Sequence, residues 1–283
     1  FSELFFDEGN DNGGSENIQP NVPSQQNIYV PILKKTIAAI AAGKCKKIVL
    51  SRCLEVPNTK NPVALFKDSL RLYPNAFCYL FSHPAVGVWL GATPETFLLA
   101  GNGQLRTMAL AGTLTTNTGQ SEWGDKEFRE QQMVTNYILE ALGGEVQDIS
   151  TSTTETVKTG GLLHLRTNVT ANYEPEKLSE IIKKLHPTPA VCGVPMTKAK
   201  EFVLRNEGYD REFYSGFLGE LHMNGNSSAH LFVNLRCMKL MPGRAIVYVG
   251  GGITKDSDPI AEWEETVAKS SIMLKVLQGA APD

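Results

Sequence analysis

The 283-residue chain lacks the features that mark several large classes of protein. It has no block of basic residues and a net charge of −3, which gives no electrostatic reason to bind nucleic acid or an anionic membrane surface. No apolar run reaches the length of a membrane span, and the first residues lack the basic flank and apolar core of a secretory signal. We therefore expect neither a nucleic-acid nor a membrane partner.

Cysteine is scarce and follows no pattern. The five cysteines are odd in number, and no two of them form a Cys-x-x-Cys pair. This spacing indicates neither a disulfide framework nor a structural zinc site. Scattered thiols of this kind are typical of buried positions in a reducing compartment, so we expect a cytoplasmic protein.

The composition changes once along the chain. Residues 7–27 are rich in Asn, Asp, Gly, Ser, Gln and Pro, which predicts that residues 1–27 form a flexible N-terminal segment. The remainder has no low-complexity tract and no short-period repeat, and we expect residues 28–283 to form a single catalytic domain.

Helical and strand patterns are clustered rather than alternating. Hydrophobic patterning predicts helices at 28–42, 62–73, 122–142, 175–185 and 258–270. It predicts strands at 47–56, 76–83, 87–93, 95–100, 104–112, 162–173, 229–240 and 244–252, with a hairpin at Asn102–Gly103. Without regular strand–helix alternation, the pattern favours an α+β fold with antiparallel-rich sheets, helices packed outside and two intertwined halves.

Two predicted helices each carry a pair of glutamates three residues apart. Glu262 and Glu265 share a helix face with Lys269, and Glu127 and Glu130 lie in an earlier helix. Each pair alone is typical of a solvated face with Glu–Lys pairs. Four carboxylates brought together, however, have the hard oxygen ligands that Mg²⁺ prefers.

Several single residues could also carry chemistry. Strand alternation puts Lys47 on the opposite face from Lys46, although a lysine that begins a strand is usually solvated. Glu95 follows Thr-Pro in a turn, where a glutamate is most often exposed. Arg236 is predicted in the middle of an apolar strand, where a buried guanidinium needs a carboxylate partner, either a ligand or an acid of the protein.

A glycine run and a histidine complete the candidates. Three glycines beginning at Gly250 end a predicted strand and could expose N–H groups to an anion, although a tight bend explains them equally well. His186 lies in the proline-rich stretch "HPTPAVCGVP", and a lone histidine is more often structural than catalytic.

The order of the motifs is more informative than any one of them. "KIVLSR", "GATPE", "LAGTL", "REQQMV", "HPTPAVCGVP", "REFYSGFLG", "LFVNLRC", "YVGGGI" and "EWEETVAKSSIML" follow one another along the chain. In this order the sequence resembles the chorismate-utilising enzymes, and most closely their isochorismate synthases. The resemblance covers about residues 28 to 278, and members of the family usually carry a longer N-terminal part.

The resemblance implies a role for each matching residue. Lys47 matches the lysine that activates water, where aminating members carry glutamine, and Glu95 matches the general acid. Glu130 and Glu265 match direct magnesium ligands, with Glu127 and Glu262 acting through water. The positions that match substrate-binding residues are Gly112, Thr113, His186, Arg236, Gly250 and Lys269.

Two positions refine the comparison with the family. Ala111 stands where aminodeoxychorismate synthases place a reactive lysine, which argues against that branch. Gln131 stands where relatives often have histidine, and this change leaves the implied metal ligands intact.

The activity implied is Mg²⁺-dependent conversion of chorismate to isochorismate, by water addition at C2 and loss of the C4 hydroxyl. A salicylate synthase, which goes on to eliminate pyruvate, and a non-catalytic chorismate-binding paralogue remain as alternatives. Lys47 argues against a glutaminase subunit. The product could serve menaquinone, siderophore or salicylate synthesis.

Overall fold

The computed structural model describes residues 22–115, 123–159, 161–222 and 228–279. The helices are α1 (Val22–Ala41), α2 (Pro62–Leu72), α3 (Asp125–Leu142), α4 (Leu178–Leu185), α5 (Met196–Asn206) and α6 (Pro259–Gln278). The strands are β1 (Lys47–Pro57), β2 (Phe77–His83), β3 (Gly87–Thr93), β4 (Thr96–Gly101), β5 (Gln104–Thr115), β6 (Val146–Thr151), β7 (Glu155–Thr159), β8 (Leu162–Tyr173), β9 (Gly193–Val194), β10 (Phe217–Leu221), β11 (Ala229–Val233), β12 (Cys237–Met241) and β13 (Arg244–Ile253).

The strands form two antiparallel sheets, and each sheet draws strands from distant parts of the chain. The first sheet has the order β2-β3-β12-β13-β1-β9. The second has the order β10-β11-β4-β5-β8-β6, and β7 also pairs with β8. Strand β1 lies between β13 and β9, so the beginning of the chain is hydrogen-bonded to its end. The α+β prediction with intertwined halves is confirmed.

Each sheet buries one face against helices. In the second sheet, Val169 packs in one apolar cluster with Val134 and Ile138 of α3 and with Ile181 of α4. In the first sheet, Leu90 and Val247 pack with Leu65 of α2 and with Met273 and Val276 of α6. Such burial is the main favourable term in folding. None of the described helices is both long enough and apolar enough to cross a membrane.

Local signals set the ends of the elements that carry site residues. Asp258 begins α6, because its side chain accepts hydrogen bonds from the N–H groups of Ile260 and Ala261. Gly279 ends the helix in the left-handed conformation, so α6 continues beyond the predicted end at residue 270. The predicted hairpin is also present, since Asn102 and Gly103 both have positive φ between paired β4 and β5.

The first helix begins at Val22 rather than at residue 28. The N-terminal part of the predicted flexible segment, residues 1–21, lies outside the described residues, but residues 22–27 are helical. Proline is tolerated in a first helical turn, where Pro23 lies, and Gln25 is tied to the sheet because its side-chain oxygen accepts a hydrogen bond from Arg52.

The predicted strand over 229–240 is wrong. It is two strands, β11 in the second sheet and β12 in the first, and the chain crosses between the sheets in the three residues that separate them. Asn234 ends the ladder, because its side chain accepts a hydrogen bond from the Tyr79 hydroxyl and donates one to the Phe213 carbonyl. Arg236 therefore lies in the crossing with φ +48°, and not in the middle of a strand.

Candidate active site

Most of the predicted site residues line one cavity. Its walls come from both sheets and from α3 and α6, and its empty volume is about 770 Å³ including the mouth. The predicted residues in the lining are Lys47, Glu95, Gly112, Thr113, Glu130, Arg236, Gly250, Glu265 and Lys269. The fold thus brings together side chains that lie far apart in the sequence.

Strand β1 delivers Lys47 to the floor of this cavity. Lys47, the first residue of β1, is 1% exposed, whereas Lys46, just before the strand, is exposed. The Lys47 ammonium nitrogen lies 2.9 Å from a carboxylate oxygen of Glu130 on α3. Lys47 and Val49 both line the cavity, so they share a face of β1 as alternation predicts.

Glu95 enters the cavity from the turn between β3 and β4. Its carbonyl accepts a hydrogen bond from Val233 N–H, which fixes the turn against the end of β11. The side chain is buried, and this burial raises the pKa of Glu95 to about 7, against the opposing charges of Lys47, Arg236 and Lys269. A carboxyl with that pKa is substantially protonated near neutral pH, as a proton donor must be.

Arg236 offers an unsatisfied cation to the cavity. Its left-handed backbone follows from the sheet crossing, and its carbonyl accepts a hydrogen bond from Ala92 N–H. The guanidinium Nε is buried and finds no hydrogen-bond partner among the described residues. Burial lowers the pKa of Arg236, but a guanidinium stays charged at physiological pH. An anionic ligand in the cavity would satisfy this group.

Three lysines and three glutamates form a group of ion pairs, which we call the lysine cluster. The pairs are Lys47 with Glu130, Lys126 with Glu262 at 2.7 Å, and Lys269 with Glu265 at 2.5 Å. Lys269 also donates to the Gly250 carbonyl at 3.2 Å. Every glutamate of this cluster therefore has a lysine partner.

The carboxylates of the lysine cluster converge on two glycines of β13. A Cβ atom at Gly251 would lie 3.5 Å from both Glu262 Oε2 and Glu265 Oε1. At Gly252, it would lie within 2.3 Å of Glu130 Oε1, closer than real side chains allow. These two glycines make room for the three carboxylates, so the glycine run is more than a bend.

Burial and neighbouring charges shift the pKa values of two of these acids. Burial raises the pKa of Glu262 to about 7, and the neighbouring Glu265 adds to the shift, while Lys126 opposes it. Burial would also raise the pKa of Glu265, but the adjacent Lys269 outweighs burial and lowers it. The pKa values of these two acids, three residues apart on α6, are thus shifted in opposite directions.

The donor set fits a hard divalent cation, although its geometry in this structure does not yet form a coordination shell. The carboxylates of Glu130, Glu262 and Glu265 share one cradle, and oxygen donors are what Mg²⁺ prefers. Within the described ranges, however, no three acidic, histidine or cysteine side chains stand ready to hold a metal ion. In this structure each of these three carboxylates is instead paired with a lysine.

The fourth predicted acid lies apart from the others. Glu127 Oε2 accepts a hydrogen bond from the Gly124 N–H at 3.1 Å, which caps the start of α3. Its Cβ is also the nearest atom to the space beside Gly112. Its role through a water molecule stays a prediction.

Among the described residues, the histidine in the cavity lining is His164 on β8, and the site role expected of His186 stays a prediction. The His186 ring contacts Phe97 and Phe217 at 5.8 and 5.0 Å between ring centroids and does not line the cavity. His164 is 5% exposed, and its Nδ1 lies 2.9 Å from the Gly112 carbonyl oxygen. Since a carbonyl only accepts, His164 Nδ1 carries the hydrogen.

His164 is therefore held as a neutral ring. Burial lowers its pKa to about 3, and the charges of Arg236 and Lys269 add to this shift. Its Nε2 is buried, has no partner among the described residues, and is an acceptor in this tautomer. The alternation of "LLHLRT" in a strand beside a glycine-containing one was the signal that the sequence carried for this residue.

Sequence reasoning also missed an aromatic wall. Tyr214, Ser215 and Tyr248 line the cavity, and the Tyr214 and Tyr248 rings stack at 5.6 Å. Tyr248 shares one face of β13 with Gly250 and Gly252, so the two-residue period pointed to it.

A separate ionic group, which we call the arginine cluster, supports the cavity wall from behind. It contains Glu207, Arg211, Ser51 and Tyr209. Arg211 makes paired hydrogen bonds to Glu207 and also donates to the carbonyls of Val49 and Val191. Glu207 in turn accepts from the N–H and hydroxyl of Ser51. This cluster ties β1 to the proline-rich stretch at 186–195.

Comparison with known proteins identifies the family. The model of the chorismate binding enzyme family matches residues 7–278, almost the whole chain. The chain belongs to this family. Isochorismate synthase MenF of Escherichia coli K12 is 28% identical over 261 residues, which cover 88% of this chain and 60% of that protein. Isochorismate synthase EntC of the same strain is 29% identical over 266 residues, covering 89% and 67% respectively.

The family relationship extends to the fold. The solved structure of E. coli MenF, described as the menaquinone-specific isochorismate synthase, matches with a TM-score of 0.80 at 27% identity. The match covers 89% of this chain and 61% of that one. The chain spans about 60% of the length of MenF, so the activity of the longer protein reaches this chain only as a proposal.

Proposed function

We propose that this family member is an isochorismate synthase that isomerises chorismate with the help of magnesium. The observation that carries the proposal is the meeting of Lys47 and Glu95 in one cavity with the cations Arg236 and Lys269. A dianionic substrate has counterparts in those cations, and the two titratable groups supply a proton acceptor and a proton donor. The similarity to two isochorismate synthases supports the same reaction.

The proposed reaction exchanges one water for another. Lys47, acting as the neutral amine, takes a proton from a water molecule and becomes an ammonium group, while the water oxygen bonds to C2 of the ring. The double bonds move, and the C4–O bond breaks as Glu95 gives its proton to the departing hydroxyl, which leaves as water. The acid form of Glu95 is available because burial holds its pKa at about 7.

Residues around the reacting ring orient and shield it. Arg236 and Lys269 pair with carboxylates, and the N–H groups near Gly250 lie in the same wall. His164 presents a neutral acceptor and Tyr214 and Tyr248 an aromatic surface. Magnesium, held by Glu130 and Glu265 with Glu127 and Glu262 beyond, would supply a cation for the ring carboxylate and stabilise negative charge there.

The same residues support a reaction without an aminating partner. Lys47 stands where aminating relatives carry glutamine, so ammonia delivered by a glutaminase subunit has no matching role. We therefore propose that the chain acts on chorismate without such a subunit.

The direct test is product analysis. Purified protein is incubated with chorismate and Mg²⁺, and the products are separated by chromatography; isochorismate is the expected product. Salicylate and pyruvate without an added lyase would instead assign a salicylate synthase. Absence of turnover, with chorismate binding retained, would identify a non-catalytic binding protein and overturn the proposal.

A further inference from the structure

Lys126 occupies an unusual place in the lysine cluster. It lies in the first turn of α3, one helical turn before Glu130, so its side chain shares a helix face with that ligand candidate. Its ammonium nitrogen reaches across to α6 and lies 2.7 Å from Glu262 Oε1. Glu130 and Glu265 are also close enough for their charges to act on it. One cation thus faces all three carboxylates that converge on Gly251 and Gly252.

The position of Lys126 differs from that of the other two lysines. Lys47 reaches Glu130 from the cavity floor, and Lys269 reaches Glu265 from within α6, so both flank the cradle. The Lys126 side chain is 28% exposed, compared with 1% for Lys47 and 12% for Lys269. An exposed ammonium can leave its partner and become hydrated at small cost, whereas a fully buried one cannot.

The charges of the cluster balance without a metal. Three lysines face three glutamates, so a divalent cation entering the cradle meets an ammonium already paired with a carboxylate. Two cations held this close repel each other strongly in a partly buried site. By this argument a metal is accommodated when one lysine moves away, and Lys126 has the most exposed side chain of the three.

We propose that Lys126 is an internal substitute for the metal, which pairs with the carboxylates of the empty cradle and is displaced when a divalent cation binds. The inference rests on the proposed function, because it takes the cradle to be the magnesium site. It assigns Lys126 a role that opposes metal binding in the substrate-free protein and keeps three acids from repelling one another. The residue sets how much Mg²⁺ is needed, and does not itself touch the reacting atoms.

The test measures Mg²⁺ binding to the protein alone, by isothermal titration calorimetry at constant ionic strength and without chorismate. Lys126→Gln removes the charge and keeps a polar side chain of similar length. We expect Mg²⁺ to bind this variant about tenfold more tightly than the wild type, in line with losing one close like charge. Lys126→Arg keeps the charge, and its affinity should stay at or below that of the wild type.

A matched control comes from the same helix. Arg129 is also positive, but it is 61% exposed and pairs with Asp125 and Asp256 rather than with the cradle. Arg129→Gln should change Mg²⁺ affinity by less than about twofold, because water and salt screen exposed charges. Thermal unfolding with and without Mg²⁺ shows that each variant is folded, and a larger Mg²⁺-dependent rise in Tm for Lys126→Gln gives an independent readout.

The outcomes separate this inference from the proposed function. Unchanged or weaker binding by folded Lys126→Gln would overturn the inference, as would equal gains in Lys126→Gln and Arg129→Gln. Failure of both wild type and variant to bind Mg²⁺ would also overturn it, since there would be no metal to displace. Tighter binding by Lys126→Gln in a protein that does not convert chorismate would leave the inference standing and remove the function.

Discussion

The arginine cluster and the lysine cluster both contact strand β1, but they are built in different ways. In the arginine cluster, Arg211 binds Glu207 twice and two backbone carbonyls besides, and Glu207 binds the backbone of Ser51. In the lysine cluster, each ammonium group makes one contact with a carboxylate, supplemented for Lys269 by one carbonyl.

The difference shows how buried ion pairs can be sorted by role. A guanidinium whose nitrogens all donate hydrogen bonds cannot change partners without leaving buried groups unpaired. Its role is therefore structural. An ammonium with a single carboxylate contact can exchange that partner for a metal, water or substrate. The surroundings agree with these roles: glycines leave space beside the carboxylates of the lysine cluster, whereas a backbone carbonyl accepts a hydrogen bond from Arg211 in the arginine cluster.

The largest effect should come from breaking the arginine cluster. Arg211→Met leaves Glu207 buried with its charge unpaired, which should lower the free energy of unfolding by about 3–5 kcal/mol. Chemical denaturation monitored by circular dichroism measures the change. Arg205→Met, which removes an exposed pair with Glu201, should cost less than about 0.5 kcal/mol. Equal losses in the two variants would contradict a structural role for the cluster.

Breaking the lysine cluster at Lys47 should have its main effect on turnover. Lys47→Ala removes the proposed proton acceptor and should lower kcat by about 10²–10⁴-fold, with chorismate binding largely kept. Steady-state turnover at saturating Mg²⁺ is the measurement. Lys46→Ala is the control, since Lys46 is exposed on the other side of β1, and it should stay within about twofold of the wild type. A dead Lys46→Ala beside an active Lys47→Ala would reverse the assignment.

Glu95 gives a smaller but more diagnostic effect. Glu95→Gln should bind chorismate and lower kcat by about 10²-fold, near the lower end of acid–base contributions. Because the acid form is required and the pKa of Glu95 is about 7, wild-type kcat/KM should fall as pH rises through about 7. The variant should lose that alkaline limb. A variant that loses binding but keeps its rate at saturation would make Glu95 a binding residue.

Glu127 caps the start of α3 and is proposed to reach the metal through water, so changing it should give the smallest effect. Glu127→Gln can still accept the hydrogen bond from Gly124, so unfolding free energy should change by less than about 1 kcal/mol. Activity should fall only a few-fold, whereas Glu130→Gln should remove most of it. Both variants are compared across a Mg²⁺ titration. Near-normal turnover of Glu130→Gln at low Mg²⁺ would contradict its place in the metal site.

The parts of the site that the sequence predicted depend on local periodicity. Lys47 was assigned to one face of β1 by alternation alone, and Glu262, Glu265 and Lys269 to one face of α6 by helical spacing. Both inferences need only the geometry of a single element. The family resemblance implied what periodicity could not, namely that glutamates of α3 and α6 belong to one site, and the structure brings Glu130, Glu262 and Glu265 to neighbouring glycines of β13.

The parts that were missed depend on contacts between distant elements. The residues 229–240 continue an apolar pattern without interruption, and nothing local shows that Asn234 binds Tyr79 and ends one ladder before another begins. His186 was named as a candidate and His164 was not, although the His186 ring packs on Phe97 and Phe217. Whether a histidine faces the cavity depends on how its strand pairs with distant strands, which its own segment of sequence does not show.

The pairing of β1 with β13 has a consequence for how the protein is made. Ile48 pairs with Ile253, so one of the two neighbours of this inner strand is synthesised much later than the strand itself. Until β13 has been made, the backbone N–H and C=O groups on one edge of this apolar strand have no strand partner. Long-range pairings of this kind form slowly, and unpaired strand edges favour aggregation. Yield of folded protein should therefore depend on synthesis temperature and on chaperones. A chain that stops before residue 244 would carry Lys47 and Glu95 but lack the strand that completes their sheet.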